Sequence, residues 1–111
     1  MAQVSEYGEI VKQIIRAYGA HPPSVGDIRV EIVLDDTQGH YELIYSGWSR
    51  SQRIQGAVLH IDVHDGKVWV EHDGTSPGVA NDLLEAGIPA SDIVLAFHPP
   101  QARKHTEFAT G

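Results

Sequence analysis

The amino-acid sequence predicts an α+β fold, and three features of its hydrophobic pattern support that class. Apolar residues recur at three- and four-residue spacing near the start of the chain, which is typical of an amphipathic helix. They then alternate with polar residues, as in half-buried strands, and a second helical stretch precedes a short, fully apolar run. The predicted order is an N-terminal helix, an antiparallel four-stranded meander, a second helix, a buried fifth strand and a short C-terminal helical tail.

The composition is that of one small globular domain, which we assign to residues 1–111. Hydrophobic residues make up 41% of the chain, and no apolar run approaches the ~18 residues that a membrane span needs. The lack of cysteine excludes disulfides and thiolate metal ligands, and the first residues do not resemble a secretory signal. We therefore expect a cytoplasmic protein that does not contact a membrane.

The charge balance argues against direct binding to nucleic acid. Eight basic and fifteen acidic side chains give a formal net charge of −7. Domains that bind nucleic acid neutralise phosphates with clustered lysine and arginine, whereas the basic residues here are scattered along the chain. If the protein takes part in a DNA transaction, we expect it to do so through another protein.

The first helix is bounded by residues that favour helix ends. Ser5 is suited to cap its first turn, Gly19 to occupy the C′ position, and Pro22-Pro23 to prevent its continuation. Alternating hydrophobicity then predicts strands over residues 27–34, 40–48 and 53–64.

Asp65-Gly66 is the strongest local signal, because this dipeptide suits a two-residue hairpin turn with positive φ at both positions. The turn sets His64 opposite Lys67 and, by continuation, His60 opposite Glu71. One face of the predicted hairpin is apolar and is assigned to the core: Leu59, Ile61, Val63, Val68 and Val70.

The polar face of the same hairpin is the candidate functional surface. It places His60, Asp62 and Glu71 close enough to hold a metal ion or to act as acid and base. A solvated or partner-binding sheet face also accounts for these residues, and we favour that interpretation over a metal or catalytic site. We therefore predict no catalytic residue, cofactor or metal, and name these three side chains as the ligands if a metal site exists.

Two tryptophans receive different interpretations. Trp69 lies on the polar hairpin face, and with His64 and Lys67 it is a candidate for a protein interface, since tryptophan is enriched at interface centres. Trp48, near a strand end, is assigned to the core.

The second helix is predicted from Ser76 as N-cap and Pro77 as first residue to Gly87 as C′ stop, with Ile88 completing the ending. The apolar run 93–97 is predicted to be a strand buried on both faces, and residues 101–109 a terminal helical segment. His72, just before the second helix, is expected on the core-facing side.

Three stretches of the chain resemble the XisI family: HYELIYSGW (40–48), GAVLHIDVHDGKVWVEHDGT (56–75) and GVANDLLEAGIPASDIVLAFHPPQARKHTEFA (78–109). With the opening helix, the resemblance extends over nearly the whole chain. Members of that family are named as controlling factors for excision of the fdxN element, a developmentally regulated DNA rearrangement in nitrogen-fixing cyanobacteria. A separate site-specific recombinase carries out the recombination, and XisI typically accompanies XisH, a protein with nuclease-like features.

The resemblance implies a non-catalytic accessory protein that acts by protein–protein binding. Its candidate partners are an XisH-like protein, a site-specific recombinase complex, and a second copy of the chain paired through an exposed strand. Two alternatives stay open: a small metal-dependent hydrolase or nuclease subunit that uses the polar hairpin face, and an antitoxin-like partner of an XisH-type nuclease.

Overall fold

Five strands form one sheet in the order in which they occur along the chain. The computed structural model describes residues 2–21, 26–76 and 78–111, with side chains in the first range from residue 6 onward. The meander of β1 to β4 is antiparallel, and β5 pairs with β4 in parallel. The elements are α1 (Ala2–Gly19), β1 (Asp27–Asp35), β2 (His40–Ser49), β3 (Gln52–His64), β4 (Lys67–Asp73), α2 (Val79–Glu85), a 3₁₀ turn (Ala90–Asp92), β5 (Ile93–Leu95) and α3 (Pro100–Arg103). The predicted α+β class and element order are confirmed.

The core lies between α1, α2 and one face of the sheet. Tyr7, Val11 and Ile15 recur at four-residue spacing on α1 and are buried. From the sheet, β2 contributes Tyr41 and Leu43. The predicted apolar face of the hairpin is confirmed, since all five of its members are buried: Leu59, Ile61, Val63, Val68 and Val70.

Both helix starts differ from the prediction. Because α1 begins at Ala2, Ser5 lies inside the helix and not at the predicted N-cap position. Because α2 begins at Val79, Ser76 is not its cap either; the Val79 amide instead donates to Asp73 Oδ2 at 2.8 Å. The predicted roles of Pro22-Pro23 and Pro77 fall on residues outside the described ranges.

The end of α2 is as predicted. The Gly87 amide donates to the Leu84 carbonyl at 3.0 Å and the Ile88 amide to the Leu83 carbonyl at 3.1 Å, the two bonds of a Schellman ending. Ile88 is 1% exposed, so the apolar contact that accompanies this ending is also present.

Asp65 and Gly66 have φ of 54° and 74°, as the predicted turn requires. The predicted register is confirmed from His64–Lys67 to Ile61–Val70. A β-bulge then leaves Glu71 without a pairing position on β3, so His60 pairs with His72. The expected His60–Glu71 pair is therefore wrong, and His72 is exposed rather than core-facing.

A second bulge interrupts the pairing of β2 with β3. Leu43 pairs with Leu59 and Ile44 with Ala57, which leaves Val58 as the extra residue on β3. Beyond this bulge His40 stands opposite Asp62, and Glu42 stands opposite His60.

The fifth strand is buried but shorter than predicted. Ile93 and Val94 are fully buried, whereas Phe97 is 47% exposed, because the chain turns after Leu95 with the His98 amide bonded to the Leu95 carbonyl at 3.1 Å. The C-terminal segment then closes this edge of the sheet, where the Ala109 amide donates to the Ile93 carbonyl at 2.8 Å. No helix within residues 2–21, 26–76 or 78–111 is long and apolar enough to span a membrane.

Candidate functional site

The sheet face turned away from α1 and α2 is the candidate functional surface, and we call it the open face. Cross-strand partners project from the same side of a sheet, so the β2–β3 register assigns its members directly. The open face is formed by His40, Glu42, Ser46 and Trp48 of β2 and by Arg53, Gln55, His60 and Asp62 of β3.

At one end of the open face, the side chains of His40, His60 and Asp62 converge. His40 Nδ1 lies 2.9 Å from Asp62 Oδ1, and His60 Nε2 lies 3.1 Å from the same oxygen. The two ring nitrogens are 3.1 Å apart, and the rings meet edge to face with centroids 4.5 Å apart. One atom from each residue is thus in reach of a single ion, and we call these three side chains the His–His–Asp cluster.

Glu42 lies behind the two imidazoles of this cluster. Its Oε2 is 3.2 Å from His40 Nε2, and its Oε1 is 3.9 Å from His60 Nδ1. Burial lowers the pKa of His40, but the hydrogen bonds to Glu42 and Asp62 outweigh it, and the pKa of His40 is raised above its usual value. The four side chains keep between 24% and 36% of their surface exposed, so solvent reaches the cluster.

Of the three residues predicted as ligands, the structure brings His60 and Asp62 together but not Glu71. The bulge at Glu71 removes it from the position opposite His60, and His40 of β2 supplies the third group instead. The sequence carries a signal for this, since His40 and Glu42 alternate on β2 as His60 and Asp62 do on β3. Sequence reasoning missed it because the bulge at Val58, which no local motif marks, shifts the register between these two strands.

The three residues predicted for an interface lie together at the tip of the β3–β4 hairpin. Trp69 stacks on His64 with centroids 4.6 Å apart and an interplanar angle of 8°, and its Nε1 donates to the His64 carbonyl at 3.1 Å. Lys67 pairs with His64 across the turn. Their contact with a partner stays a prediction.

Trp48 is on the open face and not in the core, which corrects the prediction. It is 50% exposed, because it is an odd number of residues from Tyr41 and Leu43, whose side chains enter the core. The Arg53 guanidinium lies 5.3 Å from the centroid of its ring, and Arg53 Nη2 donates to Gln55 Oε1 at 2.9 Å.

The helices on one side and the polar and aromatic open face on the other define a small α+β protein built on one sheet. The chain belongs to the XisI family, whose model, described as XisI protein, matches residues 1–110.

Two solved structures share this fold over almost their full lengths. A XisI-like protein from Anabaena variabilis ATCC 29413 is 32% identical, with a TM-score of 0.91 and coverage of 97% of this chain and 99% of that one. The fdxN element excision controlling factor XisI from the same organism is 30% identical, with a TM-score of 0.84 and coverage of 98% and 99%. No curated protein matches the chain.

Proposed function

We propose that this protein is a non-catalytic accessory regulator of a programmed DNA excision, and that it acts by binding an XisH-like protein through its open face. The family membership supports the regulatory role, since one similar structure is that of the fdxN element excision controlling factor XisI. The observation that carries the binding mode is the exposure of Trp48 on a sheet face that neither α1 nor α2 covers.

The composition of the open face suits protein binding. Tryptophan and arginine are the residues most often found at the energetic centre of interfaces, and here Arg53 holds Trp48 by a cation–π contact. This contact restricts the motion of the Trp48 ring before a partner binds, which lowers part of the entropy cost of binding. Val33 of β1, which pairs with Glu42 and is 38% exposed, adds apolar surface on the same side.

The charge of the chain suits a partner that handles DNA. A net charge of −7 opposes contact with phosphates but favours a protein whose surface is basic enough to bind them. Charge complementarity of this kind mainly speeds association and excludes wrong partners.

The test is co-purification of this chain with the XisH-like protein encoded near it, followed by titration of purified components. A stable complex is expected, and Trp48→Ala should weaken it by about tenfold or more, the effect of losing an interface hot spot. Phe97→Ala is the matched control, because Phe97 is a similarly exposed aromatic residue beyond β5 and should leave affinity unchanged.

Absence of a complex with the wild-type chain would remove the XisH-like partner from the proposal. A complex that Trp48→Ala and Phe97→Ala weaken equally, or that neither affects, would remove the open face as the docking surface.

A further inference from the structure

The three facing atoms of the His–His–Asp cluster have the spacing of metal ligands. His40 Nδ1, His60 Nε2 and Asp62 Oδ1 form a nearly equilateral triangle with sides of 2.9, 3.1 and 3.1 Å. An ion at roughly 2.0–2.1 Å from each atom, the usual zinc–nitrogen and zinc–oxygen distance, would lie about 1 Å from the plane of the triangle. Tetrahedral ligands are about 3.3 Å apart, so binding requires the three atoms to separate by only a few tenths of an ångström.

Hydrogen bonding alone cannot satisfy this triangle. Each side needs one donor and one acceptor, and the carboxylate oxygen of Asp62 only accepts. If both ring nitrogens carry a proton, two donors face each other across 3.1 Å; if either lacks one, its lone pair faces the Asp62 oxygen. A doubly protonated His40 ring does not complete the set of hydrogen bonds either, because its Nδ1 still carries only one hydrogen to donate. A cation inside the triangle interacts favourably with all three lone pairs.

Glu42 has the position of an outer partner in a metal site. Histidines that bind a metal through one ring nitrogen usually donate the other N–H to a carboxylate or carbonyl group, which sets the tautomer. With His40 Nδ1 and His60 Nε2 facing the ion, the opposite nitrogens are the ones that face Glu42, at 3.2 and 3.9 Å. Glu42 is thus within hydrogen-bonding distance of His40, whereas its contact with His60 is electrostatic only.

From this geometry we propose that His40, His60 and Asp62 bind one divalent transition-metal ion on the open face, with Glu42 as the outer hydrogen-bond partner of His40. Two imidazoles and a carboxylate suit zinc and the neighbouring first-row ions rather than calcium or magnesium. The ligands come from β2 and β3, so the ion would join these strands at the end beyond the Val58 bulge. Binding needs only this chain, so it is independent of the XisH-like partner.

Calorimetric titration of the purified chain with Zn²⁺, after removal of metals by a chelator, tests this site. The wild-type chain is expected to bind one ion, and its thermal midpoint should rise with the Zn²⁺ concentration. Glu42→Gln should weaken binding by about 10- to 100-fold, as loss of an outer partner does, and His60→Ala by more than that. His105→Ala is the control, because His105 is an exposed histidine of the C-terminal segment and should keep wild-type affinity.

Circular dichroism checks that each variant is folded; if His60→Ala is not, Asp62→Asn, which preserves side-chain shape, replaces it. The site is overturned if the wild-type chain binds no stoichiometric ion, if the ligand variant retains wild-type affinity, or if His105→Ala loses as much as the ligand variant does.

Discussion

Three tyrosines in or against the core share one arrangement, in which the hydroxyl group donates to an aspartate. Tyr7 donates to Asp92 at 2.5 Å, Tyr41 donates to Asp36 at 2.8 Å, and Tyr18 donates to Asp82. A phenol that leaves water needs an acceptor for its O–H, and in each of these three cases an aspartate carboxylate accepts that hydrogen bond. Two of these contacts connect α1 to distant parts of the chain, Asp82 of α2 and Asp92 of the 3₁₀ turn.

At this scale we predict an alkaline loss of stability from Tyr41. Burial, and secondly the hydrogen bond to Asp36, raise the pKa of Tyr41 from 10.0 to about 12. Because the folded pKa exceeds the unfolded one, the contribution is complete below about pH 10 and is lost as the pH rises through about 12. The loss is on the order of 2–3 kcal/mol in the free energy of unfolding.

Urea unfolding between neutral pH and pH 12 measures this alkaline loss of stability, with the Tyr41→Phe variant as the comparison. The variant should be about 1 kcal/mol less stable at neutral pH, from the lost hydrogen bond, but should lack this part of the alkaline decline. Equal alkaline declines for the two proteins would contradict the assignment to Tyr41.

At the scale of elements, the entry to α2 is held by a side chain that lies outside the helix. Asp73, the last residue of β4, accepts from the Thr75 amide at 2.9 Å and the Thr75 hydroxyl at 2.5 Å through Oδ1. Its Oδ2 accepts from the Val79 amide at 2.8 Å. One carboxylate thus stabilises the connection between β4 and α2 and accepts a hydrogen bond from a first-turn amide of α2. Gly78, the N-cap residue, has no side chain that could accept this bond.

We therefore expect Asp73→Ala to destabilise the fold by about 1–2 kcal/mol, the usual cost of losing a capping side chain. Ser76→Ala is the matched control, since exposed Ser76 precedes the helix without capping it, and it should change stability by less than about 0.5 kcal/mol. The two variants are compared by urea unfolding at neutral pH. If Ser76→Ala destabilised the protein more than Asp73→Ala does, Ser76 and not Asp73 would be the capping residue of α2.

At the scale of the whole molecule, the edges of the sheet differ. The C-terminal segment closes the β5 edge, where Ala109 bridges to Val94, whereas β1 is the other outermost strand and has no strand beyond it in the described part of the chain. Ile32 and Val33 of β1 are 40% and 38% exposed. The predicted self-association through an exposed strand would therefore use β1.

The charge of the whole molecule predicts that the isolated protein does not bind duplex DNA at physiological salt. With a net charge of −7 and only eight scattered basic residues, the chain gains little of the counterion release that supplies most non-specific affinity. Fluorescence anisotropy with a labelled duplex over a range of salt concentrations measures this. Submicromolar binding that weakens steeply with salt would contradict it and would make a partner unnecessary for DNA contact.

Features set by short stretches of chain could be predicted from the sequence. The Asp65-Gly66 turn, the Gly87-Ile88 ending and the alternating core face of β3 and β4 each depend on residues close to one another. Turn chemistry and side-chain alternation are local properties, so their physical causes can be recognised without the rest of the fold.

The candidate metal site and the open face emerge only from the assembled sheet. The bulge at Val58 sets His40 opposite Asp62, and the bulge at Glu71 removes that residue from His60. A single extra residue shifts by one position which side chains meet across a strand pair. The free-energy cost of the bulge is balanced by packing between distant elements. Sequence periodicity therefore predicted which residues are polar and half-exposed on these strands, while the register that joins two histidines and an aspartate came from the tertiary fold.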